Sequence, residues 1–315
     1  MDFAMKAFAL PAEGAQPAQH EIDTPDPGPG EVRVRVVAAS VNGFDIAVGM
    51  GYMTPYFEYR YPVVLGREFA GVVDAVGDGV DGLVIGDRVL GVVSKPYLGE
   101  GAFAEYTTAV VESGVVLAPD ALTDSAAASL AHTGSTAVAI LRSLGDEPEG
   151  KTLLVVGATG GVGTLLVQLA AAAGVNVIAT GRTAEGRELL EELGARATVD
   201  YSELEDAVIA LAPDGVDAAA HLSGDAAAVA SLVKDGGVFA SPLVYDPSQL
   251  PGAERLTFVP IAAYPNGADL RYLADLADQG QLQVIVDREH TFDDVATALA
   301  EYGTHTIGNI VVLID

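Results

Sequence analysis

The sequence predicts an α/β fold in which a doubly wound parallel sheet is joined to a second, β-rich domain. Three observations predict it: residues 1–123 hold short alternating strands, strands and helices alternate from residue 153 onward, and a glycine-rich turn separates the first of those strands from its helix. A chain of 315 residues is long enough to build two hydrophobic cores.

The β-rich part begins with a strand at residues 31–37, where polar and apolar residues alternate with a period of two. Further short strands are predicted at 63–65, 70–76 and 88–93, separated by turns such as Gly77-Asp78-Gly79 and Gly86-Asp87. Many short strands closed by such turns predict a compact, barrel-like domain.

The second part alternates strands with helices, which predicts parallel pairing through crossover helices. An Ala-rich helix leads into it, with Thr123-Asp124-Ser125 as the candidate N-cap. The predicted strands are 153–156, 175–179, 197–199, 218–222 and 237–241; the predicted helices between them are 164–173, 183–193 and 226–232. An apolar strand at 310–314 ends the series.

Acidic residues dominate the composition. There are 44 Asp and Glu against 16 Lys and Arg, a net charge of −28. This charge opposes binding to nucleic-acid phosphates or anionic membranes, so we expect neither as a partner. Adaptation to salt is one explanation and a genome-wide composition bias is the favoured alternative; the net charge says nothing about catalytic chemistry.

Cysteine is absent, which excludes disulfides, thiolate catalysis and cysteine-ligated metals. No uninterrupted apolar run reaches the roughly 18 residues of a membrane span, and the first residues lack the pattern of a secretory signal. We therefore expect a cytoplasmic protein.

The glycine-rich turn is Gly157-Ala158-Thr159-Gly160-Gly161-Val162-Gly163, between a predicted strand and a predicted helix. Small residues at this point let the main chain approach a pyrophosphate, whose charge meets the positive end of the helix. We interpret the turn as the cofactor-binding site, with contacts from Gly157, Thr159, Gly160, Gly161, Val162 and Gly163.

The end of the second strand decides between the two nicotinamide cofactors. NAD sites place Asp or Glu there, against the ribose diol; this chain has Arg182. A guanidinium suits a 2′-phosphate through charge-assisted hydrogen bonds, so the sequence favours NADPH. The alternative is a solvated arginine at a helix start.

These motifs resemble the medium-chain dehydrogenase/reductase family over nearly the whole chain. The resemblance rests on Pro-Val-Val-Leu-Gly-Arg-Glu-Phe-Ala-Gly at 62–71, Val-Gly at 76–77, Gly-Asp-Arg-Val at 86–89, Gly-Ala-Phe-Ala-Glu-Tyr at 101–106 and Thr-Ala at 136–137. It implies a GroES-like β-barrel catalytic domain, residues 1–123 and 283–315, wrapped around a Rossmann domain, residues 124–282. Nicotinamide and substrate are expected in the cleft between the domains. A homodimer joined through the apolar run at 256–261 is expected too, although Pro260 limits pairing there.

Zinc-containing members of this family have Gly-His-Glu where this chain has Gly66-Arg67-Glu68. Arginine cannot ligate a metal, because it is a cation with donors only. The cysteine ligands are missing as well, and only a short loop at 94–100 fills the place of the structural zinc lobe. The resemblance is therefore to the zinc-independent, quinone oxidoreductase-like branch.

Further site residues come from this resemblance. Val41-Asn42-Gly43-Phe44-Asp45 is similar to a signature that places Asn42 near the nicotinamide, although a structural Asn in a turn is the alternative. Tyr201 matches a tyrosine beside the 2′-phosphate, or simply packs on the surface. The remaining expected cofactor contacts are Thr136, Ser223, Gly224 and Leu243.

The substrate prediction follows from the electrophiles that the chain lacks. Neither zinc ligands nor a Tyr-x-x-x-Lys pair is present to hold a developing alkoxide. The acceptor should therefore be activated already, as a quinone or a conjugated carbonyl is. An alkenal or enoyl-thioester reductase and a catalytically idle NADPH-binding protein are the alternatives.

Tyr52 is the candidate proton donor, although Tyr56, Tyr59 and Tyr61 equally suggest a hydrophobic wall. The sequence leaves the roles of two further side chains undecided. Arg67 contacts substrate or pairs with Glu68 or Asp45, and His132 faces the cleft or is structural.

Overall fold

The structure is a computed structural model that describes residues 4–304 and 306–314. The chain packs as two compact units. Unit 1 comprises Met1–His132 and Pro265–Asp315, and unit 2 comprises Thr133–Tyr264. The domain boundaries that the sequence suggests, at 123/124 and 282/283, stay a prediction, because units of packing need not coincide with segments that fold alone.

The helices and strands follow one another in three stretches of chain. The first contains β1 (Ala4–Leu10), β2 (Ala18–Asp23), β3 (Glu31–Ser40), α1 (Gly43–Gly49), β4 (Glu58–Tyr59), β5 (Val63–Val64), β6 (Glu68–Val76), β7 (Arg88–Val92), β8 (Tyr97–Leu98), β9 (Tyr106–Val110), α2 (Val111–Gly114), β10 (Val115–Leu117) and α3 (Asp124–Ala128). The second contains α4 (Ala131–Ser143), β11 (Thr152–Val156), α5 (Gly161–Ala172), β12 (Asn176–Thr180), α6 (Ala184–Glu192), β13 (Ala197–Val199), α7 (Leu204–Leu211), β14 (Val216–His221), α8 (Ala226–Ser231), β15 (Val233–Ser241) and β16 (Thr257–Pro260). The third contains α9 (Gly267–Asp278), β17 (Val286–Thr291), α10 (Val295–Glu301) and β18 (Asn309–Leu313).

The described strands of unit 2 form a parallel sheet in the order β13-β12-β11-β14-β15-β16. The first strand, β11, lies in the middle, and the chain moves outward from it in both directions. The predicted doubly wound Rossmann-type sheet is thereby confirmed. Its order reverses between β11 and β14, and ligands of such sheets bind at the carboxyl ends of the strands at that point.

The middle strands of unit 2 are buried on both faces, as expected for a parallel sheet covered by helices. In β11 and β12 only the first residue is partly exposed. Leu154, Ile178 and Phe239 belong to the same core cluster. Burying each such side chain contributes about 1.5–3 kcal/mol.

The helix after the glycine-rich turn begins earlier than the sequence predicts. The prediction was residues 164–173, whereas α5 covers Gly161–Ala172. Gly160 is its N-cap, and the amide of Thr164 donates to the carbonyl oxygen of Gly160 at 2.9 Å. Glycine is a poor helix former, so the sequence favoured a loop over residues 161–163. Close packing of the helix start on the turn outweighs that preference.

In unit 1 the described strands form a large sheet in the order β10-β7-β6-β3-β18-β17, in which β9 also pairs with β3. Smaller sheets are β2-β1-β5 and β4-β8. A closed barrel was expected. Among the residues that the structure describes, the large sheet stays open, because β10 spans three residues and packs against α9 instead of pairing with β17.

Strand β18 joins the two chain segments of unit 1. Residues 311–313 pair antiparallel with residues 38–40 of β3, and the other edge of β18 pairs in parallel with β17. Phe69, Phe103 and Ile310 pack in the core beneath this sheet. None of the helices in the described part of the chain has both the length and the apolar character needed to span a bilayer.

Candidate functional site

The first glycine of the predicted cofactor turn follows β11 directly. Gly157 has a φ of +89°, and a Cβ atom added there would lie 3.0 Å from Cβ of Ser223. Its amide donates to Oγ1 of Thr180 at 3.1 Å, which ties the turn to the end of β12. Both the backbone conformation and the lack of space therefore require glycine at this position.

The start of α5 supplies the part of the turn suited to an anion. The N-cap is Gly160, which has no side chain to accept a hydrogen bond from the first turn of α5. The first amides of a helix also have no partner within the helix. A Cβ atom at Gly163 would lie 2.5 Å from Cα and from the carbonyl oxygen of Ala158, so the third glycine lets the helix start lie against the turn. The residues between, Thr159, Gly161 and Val162, are partly exposed. This main-chain cradle fits a pyrophosphate.

Arg182 and Tyr201, predicted to meet the 2′-phosphate, are neighbours in the structure. The guanidinium carbon of Arg182 lies 5.6 Å from the ring centroid of Tyr201. The hydroxyl of Tyr201 accepts a hydrogen bond from the amide of Asp225 at 3.0 Å. The same hydroxyl lies where a side chain at Gly224 would have to go, so only glycine fits beneath it.

The loop that carries Arg182 is fixed by a second arginine, which the sequence analysis did not single out. Nη1 of Arg187 donates to the carbonyl oxygen of Gly181 at 2.8 Å and to Oδ2 of Asp200 at 3.0 Å. The amide and hydroxyl of Ser202, and then Arg187, hold the pKa of Asp200 below its usual range. The basic position one turn into α6 was a usable signal, but its partners could not be read from the sequence.

The ends of β14 and β15 bring together the other predicted contacts of unit 2. Ser223 and Gly224 follow β14, and Leu243 follows β15 with 56% of its surface exposed. Oγ of Ser241 accepts hydrogen bonds from the amides of Leu243 at 3.0 Å and Val244 at 3.2 Å.

A histidine missed by the sequence analysis connects these strand ends. His221 is 3% exposed. Its Nδ1 lies 2.9 Å from Oγ of Ser241, and its Nε2 lies 3.1 Å from the carbonyl oxygen of Gly224. A lone histidine ending an apolar strand was the available signal.

In unit 1, Asn42 belongs to a polar cluster with Asp45, Glu68 and His132. The amide of Asn42, the N-cap of α1, donates to Oδ2 of Asp45 at 2.8 Å, and Nδ2 of Asn42 donates to Oε1 of Glu68 at 3.1 Å. The amide of His132 donates to Oε2 of Glu68 at 2.6 Å. Asn42 therefore has a structural role at least, and its predicted contact with the nicotinamide stays a prediction.

Two groups of this cluster have strongly shifted pKa values. Burial, followed by the charge of Glu68, raises the pKa of Asp45 to about 7, against the opposing effect of the Asn42 amide. Burial and then the charge of Arg67 lower the pKa of His132 to about 3. The guanidinium carbon of Arg67 lies 4.1 Å from the ring centroid of Phe44. Both Asp45 and His132 are thus driven toward their neutral forms.

Tyr52, the predicted proton donor, lies in the turn after α1 with 66% of its surface exposed. Its neighbour Tyr56 is 67% exposed, whereas Tyr59 is partly buried and donates its hydroxyl proton to the carbonyl oxygen of Val48 at 3.1 Å. Thr136 is buried inside α4. Within the described residues, no three His, Asp or Glu side chains are grouped as a metal site would need.

A cavity of about 250 Å³ opens in unit 1, lined in part by Arg60, Tyr61, Tyr97, Glu100 and Tyr106. None of the predicted cofactor or catalytic residues lines it. Arg60 already lies over the face of Tyr97, with its guanidinium carbon 3.7 Å from the ring centroid. The candidate site is therefore at the strand ends and not in this cavity.

Comparisons with known proteins agree with this arrangement. Residues 28–120 match the family model for the alcohol dehydrogenase GroES-like domain, and residues 161–241 match the model for zinc-binding dehydrogenases. The chain is 30% identical to the chloroplast envelope quinone oxidoreductase homolog of Arabidopsis thaliana, over 95% of this chain and 94% of that protein. The chain belongs to the medium-chain dehydrogenase/reductase family.

Other relatives extend the range of activities. The chain is 31% identical to 2-methylene-furan-3-one reductase of Solanum lycopersicum, over 93% of this chain and 74% of that protein. A mycobacterial protein solved in complex with NADPH has the same fold, with a TM-score of 0.82 and 28% identity over 98% of this chain and 99% of the other. This family member is accordingly an oxidoreductase with a nicotinamide cofactor.

Proposed function

We propose that this family member uses NADPH, without zinc, to transfer hydride to a quinone or another conjugated carbonyl acceptor. The observation that carries the proposal is the pairing of Arg182 with Tyr201 at the end of β12. An exposed guanidinium beside a phenol ring suits a 2′-phosphate and offers no carboxylate for the ribose diol of NAD. The nearby carboxylate of Asp200 is engaged with Arg187 and Ser202.

The proposal of zinc independence rests on the donor set of unit 1. Arg67 occupies the place where zinc-containing members have a histidine, and the chain has no cysteine. The side-chain NH2 group of Asn42 donates to Glu68, and an amide NH2 group is a hydrogen-bond donor and not a metal ligand. One matched family model is named for zinc-binding dehydrogenases, but it covers residues 161–241 of unit 2, whereas Arg67 belongs to unit 1. The name of that model therefore does not decide whether this protein uses zinc.

Bound NADPH supplies the hydride, and the protein provides binding and orientation. In unit 2, the amides at the start of α5 hold the pyrophosphate, Arg182 and Tyr201 hold the 2′-phosphate, and the main chain at 223–224 and 243 flanks the nicotinamide. A conjugated acceptor delocalises the negative charge that it gains, so no metal electrophile is needed.

The relatives support this acceptor class. One is a quinone oxidoreductase homolog and another a furanone reductase, and a third is solved with NADPH. The furanone reductase specifically favours the second candidate function, reduction of a conjugated C=C bond as in alkenals or enoyl thioesters. We also keep the proposal of a homodimer, with β16, the edge strand of the unit 2 sheet, as its contact.

The proposal is tested by following the loss of NADPH absorbance with a panel of quinones, enones, alkenals and one enoyl thioester, each repeated with NADH and after dialysis against a chelator. We expect turnover of quinones or cyclic enones, preference for NADPH, and no effect of the chelator. Preference for alkenals or the thioester would select the second candidate. NADPH binding with no turnover of any acceptor would identify a catalytically idle protein, and a preference for NADH would refute the cofactor assignment.

The proton donor has its own test, because the role of Tyr52 stays a prediction. If Tyr52 donates the proton, Tyr52→Phe should lower kcat by about 10²-fold or more. Tyr56→Phe is the matched control, since that phenol is equally exposed. Equal kcat values for the two variants would show that Tyr52 is not the proton donor.

A further inference from the structure

The hydrogen bonds of His221 determine the tautomer of its neutral ring. A carbonyl oxygen can only accept, so Nε2, 3.1 Å from the oxygen of Gly224, must carry the proton. In the neutral ring Nδ1 is then an acceptor, and Oγ of Ser241, 2.9 Å away, donates to it. The ring lies against Phe239, with centroids 5.6 Å apart, so its position is fixed by packing as well.

Ser241 transmits this bond to the next loop. While its hydroxyl proton goes to His221, its oxygen accepts from the amides of Leu243 and Val244, which uses both lone pairs. One imidazole therefore joins the turn after β14, at residues 222–225, to the loop after β15, at residues 241–244. Both follow adjacent parallel strands at the end of the sheet where ligands of this fold bind.

We propose that His221 is a positioning residue that holds these two loops in register for the nicotinamide half of NADPH. The inference rests on the proposed function, because it takes NADPH as the ligand. Tyr201 reaches the same turn through the amide of Asp225, so the network continues toward Arg182 and the phosphate half. His221 acts through main-chain groups of the loops and need not touch the cofactor itself.

Protonation of His221 should loosen the loops. A charged ring turns Nδ1 into a donor, so three donors would compete for the two lone pairs of the Ser241 oxygen, namely Nδ1 and the amides of Leu243 and Val244. The hydroxyl proton can turn to the carbonyl oxygen of His221 at 3.2 Å. Burial lowers the pKa of His221, while the Gly224 carbonyl and the charge of Asp225, the N-cap of α8, oppose this. The neutral, loop-holding form is thus the one present near pH 7 and above.

The experiment compares two ligands in the full-length protein by calorimetric titration. NADPH occupies both halves of the site, whereas 2′,5′-ADP carries only the adenosine and phosphate half. The ratio of their Kd values isolates the nicotinamide half. The 2′-phosphate titrates in both ligands, whereas the 5′-phosphate monoester of 2′,5′-ADP has no titrating counterpart in the pyrophosphate of NADPH, so pH dependence is compared between the wild type and His221→Gln. The variants are Ser241→Ala, which removes the shared hydroxyl, His221→Asn, which keeps a group at the position of Nδ1, and His221→Gln, which keeps one near Nε2. His290→Gln is the control, because that histidine lies in unit 1 and is paired with Glu301.

We expect Ser241→Ala to raise the ratio of the NADPH Kd to the 2′,5′-ADP Kd about ten-fold, and the two His221 variants to raise it by less, since each keeps one hydrogen bond. A rise of the ratio toward pH 5.5 that is present in the wild type and absent from His221→Gln would support the inference, since the lowered pKa of His221 places its protonation at acidic pH. An unchanged ratio in all three variants overturns the inference alone. A wild type that binds neither ligand overturns the proposed function and the inference with it. A variant that binds 2′,5′-ADP with the wild-type Kd is folded, so its ratio tests the inference.

Discussion

The two units hold their predicted site residues in different ways. In unit 2 the predicted cofactor contacts are main-chain amides, glycines and neutral side chains, with the charge of Arg182 left exposed. In unit 1, Asp45, Glu68 and His132 are brought together inside the protein, and burial drives Asp45 and His132 toward neutrality from opposite sides. The function of unit 2 should therefore depend on backbone shape, and the behaviour of unit 1 on pH.

The largest effect should come from Gly157→Ala in unit 2. Alanine is strained at a φ of +89°, and its Cβ would crowd Ser223. We expect the Kd for NADPH to rise about 100-fold, since strain and crowding together cost about 3 kcal/mol. Gly150→Ala is the matched control, because its φ is +77° and no atom lies within 4 Å of the added Cβ. Similar losses of binding in both variants, measured by fluorescence titration, would contradict a role for the turn itself.

A smaller effect is expected from Arg182→Ala. Losing a charge-assisted hydrogen bond of about 1.5–3 kcal/mol should raise the Kd for NADPH by about 10- to 100-fold and leave the Kd for NADH unchanged. Arg196→Ala removes an exposed arginine of the same unit, bonded to Asn176, and should change neither constant. A parallel loss of NADPH and NADH affinity would mean that Arg182 supports the fold instead of binding the 2′-phosphate.

Asp45→Asn should alter the pH dependence of stability. The pKa of Asp45 is about 7 in the folded protein against an ordinary 3.8, so between these values the folded state holds a proton that the unfolded state has lost. The free energy of unfolding of the wild type, relative to the variant, should therefore fall by about 1–2 kcal/mol as pH rises from about 4 to about 7. Denaturant titrations across this range measure it. The exposed Asp81→Asn should track the wild type, and an identical curve for Asp45→Asn would show that Asp45 is charged in the folded state.

His132→Gln should have the opposite dependence and the smallest effect, because His132 is partly exposed. Its pKa of about 3 in the folded state lies below the ordinary 6.5, so the unfolded state takes up the extra proton as pH falls through this window. The wild type should lose about 1 kcal/mol of stability relative to the variant between pH 6.5 and 4. Relative stability that rises on acidification would show that His132 is protonated in the folded protein.

The contrast between the units also explains what could be predicted from sequence. The turn around Gly157 and the position of Arg182 are local features, set by spacing along a strand, a turn and a helix. The hydrogen bonds that hold these features in place are not local in sequence. Thr180 is bonded to Gly157, 23 residues away, and Arg187 is bonded to Asp200, 13 residues away. The start of α5 was placed three residues late, because tertiary packing outweighs the weak helix propensity of glycine.

In unit 1 the sequence indicated short strands but not how their side chains meet. Asn42 and Glu68 are 26 residues apart, and His132 reaches Glu68 across 64. No pattern within one element encodes such contacts. The helices α1, α9 and α10 were not predicted. Helix α9 packs against β10, which is distant in sequence, α10 packs against β17 and β18, and α1 follows β3 after a short connection. Asp45 and Glu68 could be named from their motifs, but the raised pKa of Asp45 depends on its burial in the folded protein.

Strand β18 has a consequence for the order in which the chain assembles on the ribosome. Residues 38–40 of β3 are synthesised long before their partners at 311–313. Until those partners emerge, that stretch of β3 presents an open edge, while the whole of unit 2 is already available to fold. Completion of the large unit 1 sheet is thus delayed until β18 has been synthesised, and we expect this long-range pairing to be slow and the interval before it to carry a risk of aggregation.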